Sequence, residues 1–264
     1  MISVQERLTP PVDKNTVRSL NRTSAPPVDS RSVQKLNRPA AVAAGPPVQS
    51  AQTSPGSRPQ SARPASMSGL SPATVYRDMV LPKLYTVLRP GQKTSLGDRR
   101  SFRVCVGWNV SDTRCDIDVS AFLLREDLRV PGDSWFVFYG NPESPDKALR
   151  FYNDPVGADR EIIEVNLDRL GPDISRIVFV LTINEAFSKR LNFSMVKDAY
   201  IRILERVGER EILSFRLTEF YETVTSMTIG ELYRRNGQWK FNPVGNGVHQ
   251  DLAGQCSIYG VHTG

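Results

Sequence analysis

Between residues 88 and 241 the chain is a succession of short apolar runs with the two-residue period of half-buried strands. Nearly every gap between them holds Gly, Asn, Pro or Asp. Val104, Val106 and Trp108 alternate, and so do Val119, Ala121 and Leu123. Residues 136–139 read as a buried strand, followed by Ile162, Ile163, Val165 and Leu167. The run 177–183 is the most apolar and belongs in the middle of a sheet. Runs at 199–204, 211–217, 223–233 and 239–241 complete the set. Short strands with turn signals between them predict a mainly β fold, a two-sheet β-sandwich. Short helices are expected at 184–191 and 251–259, and a weaker one, broken by Pro82, at 71–86. Gly245-Asn246-Gly247 reads as a turn.

The first 70 residues are of another kind. They hold no aromatic residue and ten of the chain's 19 prolines. Such a composition has too few large apolar groups to offset the entropy of ordering, so residues 1–70 are expected to form a disordered Pro-rich basic tail. Domain organisation is therefore tail 1–70 and folded domain 71–264. The tail carries nine Lys and Arg against three acids; removing these from the chain's 34 bases and 28 acids leaves 25 of each. The whole excess charge sits on the tail. That split argues against nucleic-acid binding by the folded domain, despite a pI of about 9.3.

The tail contains a duplication. Pro10-Pro11-Val12-Asp13 leads to Val17 and to Leu20-Asn21-Arg22; sixteen residues on, Pro26-Pro27-Val28-Asp29 leads to Val33 and to Leu36-Asn37-Arg38. Asp13 and Asp29 are suited to cap a helix start. Val17 with Leu20, and Val33 with Leu36, share a face three residues apart. A helix this short is marginal alone and would form on binding, with those four side chains as anchors. A duplicated linker without a partner is the equal alternative. The partners the tail admits are a protein groove, or an anionic surface reached by peripheral association with a membrane complex.

Three cysteines with no C-x-x-C spacing suggest reduced thiols and a cytoplasmic protein. Cys115, beside Arg114, is the one thiol with an argument for reactivity. Two histidines are too few for a His–Cys zinc site. No run reaches the ~18 apolar residues of a membrane span. The first residues include Glu6 and prolines where a signal peptide needs an apolar core. No nucleophile motif, P-loop or dinucleotide fingerprint is present, so no enzyme is expected.

Between residues 116 and 161, acids recur at the ends of strand-like runs, next to Gly, Asn and Pro. Carboxylates on turns can converge on one hard cation such as calcium. Ordinary turn preference explains the same pattern without a metal.

Several motifs occur here together and in order. Among them are Cys105-Val106-Gly107-Trp108, Asp116-Ile117-Asp118-Val119-Ser120-Ala121-Phe122, Ala199-Tyr200-Ile201-Arg202 and Gly230-Glu231-Leu232-Tyr233. Across roughly 84–264 the sequence resembles the tellurium-resistance TerD-like family. The resemblance implies a two-sheet β-sandwich with short helices, bound calcium, and a stress-response (tellurite-resistance-type) role. It maps a metal-ligand set onto Asp116, Asp118, Asp133, Asn153, Asp154, Asp159 and Glu161. Two departures stand out. The loop before Asp159 is shortened, and Arg160 replaces the middle acid of an Asp-Asp-Glu. A cation a few Å from a divalent ion costs on the order of several kcal/mol when poorly screened. Arg160 can instead stand in for the metal by pairing with Asp116 or Asp159.

Overall fold

The computed structural model describes residues 78–152 and 159–263. The tail with its anchors Val17, Leu20, Val33 and Leu36, and the expected ligands Asn153 and Asp154, lie outside the described residues. Among the described residues, eleven strands form two antiparallel sheets. In chain order they are β1 (Thr94–Ser95), β2 (Ser101–Val110), β3 (Ile117–Leu124), β4 (Phe136–Val137), β5 (Leu149–Tyr152), β6 (Glu161–Asn166), β7 (Arg176–Ile183), β8 (Val196–Glu205), β9 (Glu211–Leu217), β10 (Ser226–Arg235) and β11 (Gln238–Val248). The six-stranded sheet has the order β1-β11-β10-β7-β3-β4, and the five-stranded sheet β5-β6-β2-β8-β9. The β-sandwich expected from the alternating runs is the fold observed.

The alternation sets which side chain faces which layer. Val119, Ala121 and Leu123 of β3, Ile177, Phe179 and Leu181 of β7, and Val104 and Val106 of β2 all enter the core between the sheets. The opposite face of the six-stranded sheet is also apolar. Phe122, Leu124, Phe136, Phe138, Val178 and Val180 lie there. They are covered by α2 (Leu252–Tyr259), the C-terminal helix, through Leu252, Ala253 and Cys256. Phe122 stacks on Phe136 at 4.5 Å between ring centroids. Burial on both faces explains why 177–183 is continuously apolar and lies mid-sheet. Asp251 caps α2 by accepting from the Gly254 N–H at 2.9 Å. Gly260, at φ 79°, ends it in the left-handed region. Among the described residues the other α-helix, α1 (Ala186–Lys189), is a single turn within the expected 184–191.

Three local expectations are corrected. Residues 78–86 form no helix, and 71–77 of the expected helix lie outside the described residues. The segment is pinned where Asn109 accepts from the Met79 N–H at 2.8 Å and returns a bond to the Met79 carbonyl at 3.0 Å. Val87 then makes a parallel bridge to Ser214, partnering β9's outer edge. Gly245-Asn246-Gly247 is not a turn but part of β11, with Asn246 opposite Thr228 and Gly247 opposite Met227. The glycines mark a bulge between Thr228 and Gly230, which Gly245 accommodates at φ 64°. At 136–139, only Phe136–Val137 pair as a strand, because the chain folds back immediately through the Phe138–Asn141 bridge.

Candidate functional site

The early end of β4 shapes one rim of the sandwich. β4 pairs only with Ala121 and Phe122, so β3's edge is open from Val119 backwards. The Val119 N–H finds a carboxylate instead: Glu161, the first residue of β6, accepts from it at 2.6 Å through Oε2. This bond joins the two sheets. Asp118 is half-buried on the outward face of β3, opposite Thr182 of β7. Asp116 is exposed just ahead of β3, where Asn184 donates its backbone N–H to the Asp116 carbonyl at 2.7 Å and its amide to Oδ2 at 3.3 Å.

The three carboxylates sense one another. Burial, then the charge of Asp116, pushes the Asp118 carboxyl up to about 7. Burial pushes Glu161 well above the usual carboxylate range, Asp118 and Asp116 add to it, and the Val119 N–H opposes. Tyr139 lies on the same rim: burial, then Asp118 and Asp116, raise its phenol. Among the described residues no Lys or Arg forms an ion pair with Asp116, Asp118 or Glu161. Equally, no three His, Cys, Asp or Glu side chains among the described residues stand close enough to enclose a metal ion. The donor chemistry, hard oxygens without a counter-charge, fits calcium. The remaining oxygens of a full shell would have to come from elsewhere, and Asn153 and Asp154 lie in the segment outside the described residues.

The other expected ligands face different partners. Arg202 grips Asp159 in a fork, Nε to Oδ1 at 2.9 Å and Nη2 to Oδ2 at 2.7 Å. The Tyr200 hydroxyl adds a bond to Oδ1 at 3.0 Å. Asp159 is 4% exposed, so this is a buried, bidentate ion pair, next to Cys105 on the outer side of the five-stranded sheet. Asp133 lies near the chain's end, accepting from the His262 N–H at 2.9 Å, with the ring Nδ1 at 3.2 Å. Arg160 donates Nε to the Trp108 carbonyl at 2.6 Å and lies over that indole, 5.8 Å from its centroid. The cation that meets Asp159 is thus Arg202, supplied by β8. Sequence reasoning missed Arg202, Tyr200 and Tyr139. Arg202 and Tyr200 were visible as part of a family motif and as positions of an alternating strand, without the register that opposes Cys105 to Arg202.

The remaining candidates are structural. Cys115 is buried, and burial, then Asp112, pushes its thiol up to about 11. Arg114 turns to Asp112 at 2.6 Å, so the thiolate is not favoured. Burial raises Cys105 and Cys256 as well. His249 bonds the Thr223 carbonyl through Nδ1 at 2.9 Å. Glu231 is held by Arg176 and by the Asn242 amide. Among the described residues no helix is long and apolar enough to cross a membrane.

The family model described as TerD domain matches residues 85–259. The chain belongs to the TerD domain family. It is 38% identical over 166 residues to the tellurium resistance protein TerD of Serratia marcescens, covering 60% of this chain and 86% of that one. It is 34% identical to general stress protein 16U of Bacillus subtilis (strain 168), over 56% of this chain and 79% of that one. A solved structure from Streptomyces coelicolor A3(2), described as a homologue of telluride resistance protein (TerD), is 21% identical with a TM-score of 0.45, covering 58% of this chain and 93% of that one. In this member of the TerD domain family, the matched span begins after the duplicated tail.

Replacing Arg202 with Gln leaves Asp159 buried with the neutral donors Tyr200 and Cys105 and no cation. The expected loss is about 3–5 kcal/mol of unfolding free energy, measured by urea titration near neutral pH. A loss under about 1 kcal/mol would show that Asp159 is not held as described. The acid rim sets a pH dependence. In chelator, the folded-state value of Asp118 (about 7) lies above the unfolded value of 3.8, so the native state holds the extra proton between them. Stability should therefore fall as pH rises through that window, and Asp118→Asn should flatten the fall in thermal melts. Equal slopes in both proteins would contradict the shift.

Proposed function

We propose that this member of the TerD domain family is a non-enzymatic stress-response binding module whose acidic rim takes calcium. The observation that carries the reading is the meeting of Asp116, Asp118 and Glu161 on one rim with no cationic partner among the described residues. Two of the three have carboxyls raised by burial and by one another. A bound cation would supply the missing positive charge. Asp116, Asp118 and Glu161 would hold it, with Asn153 and Asp154 as the further candidates. The loops ahead of β3 and β6 would then be fixed relative to each other, shaping a surface for partners. The relatives named for tellurium resistance and general stress support the stress-response side of the reading. Three free, buried thiols agree with a reducing, cytoplasmic setting.

Calorimetric titration of the chelator-stripped full chain with calcium should show saturable binding and a raised melting temperature. The double substitution Asp116→Asn and Asp118→Asn should abolish the binding and leave the metal-free protein folded. Unchanged affinity in that variant would sink the assignment.

A second reading rests on the duplicated tail. There the domain is a metal-independent scaffold, and Val17, Leu20, Val33 and Leu36 dock a protein groove or an anionic surface, gaining avidity from two copies. Deleting residues 1–40 should remove partner capture and leave the melting temperature unchanged; capture that survives the deletion refutes this second reading.

A further inference from the structure

At the opposite end of the five-stranded sheet lies a cavity of about 160 Å³. Four cations line it, and they come from four separate segments: Lys147 from the turn before β5, Arg150 from β5, Arg169 from the loop after β6, and Arg206 from just beyond β8. Two carboxylates, Glu143 and Glu164, stand against them.

Glu164 is already engaged. Arg103 donates Nε to it at 3.3 Å, the Tyr152 hydroxyl donates at 3.2 Å, and Arg206 lies at 3.7 Å. Arg150 faces Glu164 in the strand register, yet its guanidinium lies over the Tyr152 ring, 5.2 Å from the centroid. Its N–H fork is thereby left for another acceptor. Among the described residues, Lys147, Arg150 and Arg169 have no carboxylate within ion-pair distance.

The walls are tied together rather than loose. Asp146 accepts from the Ser144 hydroxyl at 2.6 Å and from the Ala148 N–H at 3.0 Å, closing the turn that carries Lys147. Its other oxygen accepts from the Gly171 N–H at 2.9 Å, fastening that turn to the loop that carries Arg169. Asn166 donates its N–H to the Ala148 carbonyl at 2.7 Å, binding β6 to the same turn.

We propose that this cavity binds a phosphate-type dianion, either free or as the phosphoryl group of a small soluble ester. Among the lining residues four cations outnumber two carboxylates, an excess of positive charge that favours a dianion over a singly charged carboxylate. Arginine forks match the oxygens of a phosphoryl group two at a time. The volume falls below the ~300–1,000 Å³ of pockets that enclose whole drug-sized ligands, so the charged group alone is enclosed. The four cations are exposed, so binding weakens steeply with salt.

The test is calorimetric titration of the full chain at low ionic strength with inorganic phosphate and with glycerol phosphate. Saturable binding of either, one per chain, is expected. The double variants Arg150→Gln/Arg206→Gln and Lys147→Gln/Arg169→Gln should each weaken it at least tenfold with an unchanged melting temperature. The basic tail is the same in every protein, so binding unaltered by both variants would assign the anion to the tail and overturn the proposal. So would no saturable binding of either probe at millimolar concentration. Capture on phosphatidate vesicles with neither soluble probe bound would overturn the assignment to a soluble ligand.

Discussion

The antiparallel ladder between β3 and β7 governs where this domain can keep polar chemistry. It pairs Ile117 with Ile183 at one end and Leu124 with Arg176 at the other. One face of the ladder meets the other sheet, and its opposite face meets α2. A ladder covered on both faces leaves little room for charge in its middle, where a lone buried ion would cost several kcal/mol. Charged groups are therefore pushed to its ends. At one end Arg176 meets Glu231, whose other oxygen accepts from Asn242. At the other end Asp118 stands across from Thr182 without such a cation. The two ends differ in kind: the first is a closed pair, the second an open demand for positive charge.

That open end depends on a strand being short. Had β4 continued alongside β3, its backbone would have taken the Val119 N–H. Because β4 stops at two residues, the bond passes to Glu161 on the other sheet. A carboxylate drawn inward to satisfy a backbone donor then faces Asp118 and Asp116. The acid rim is thus a consequence of sheet topology as much as of acidic residues in loops.

Much of the fold was legible because strand period and turn residues agree from 88 onward. What was not legible has identifiable causes. β5 has four residues at a sheet edge, too few for alternation to register. The glycines of β11 resemble a turn because a bulge needs the same backbone freedom. At the site, the placement of Asp116, Asp118 and Glu161 beside strand ends could be read from the sequence, while their role as ligands came from the family resemblance. The fate of Asp159 could not. It depends on Arg202, 43 residues away, and only the pairing of β2 with β8 brings that residue to Cys105 and hence to Asp159. Long-range register is the quantity that a single sequence leaves open.

Arg160 shows how the same limitation misleads a charge count. An arginine next to acids invites the inference that it neutralises them. Its guanidinium instead meets the Trp108 carbonyl and the indole face. The acidic rim and the basic cavity also divide along one strand: Glu161 begins β6 and Asn166 ends it. At ~3.3 Å per residue Glu161 is separated by roughly 10 Å from Glu164, the nearest residue of β6 that lines the cavity. That exceeds the ~8 Å screening length of physiological salt, so exposed charges at the two ends interact weakly through solvent. A cation at one end and an anion at the other, were both to bind, would do so largely independently. Any coupling between them has to pass through the strand that both share.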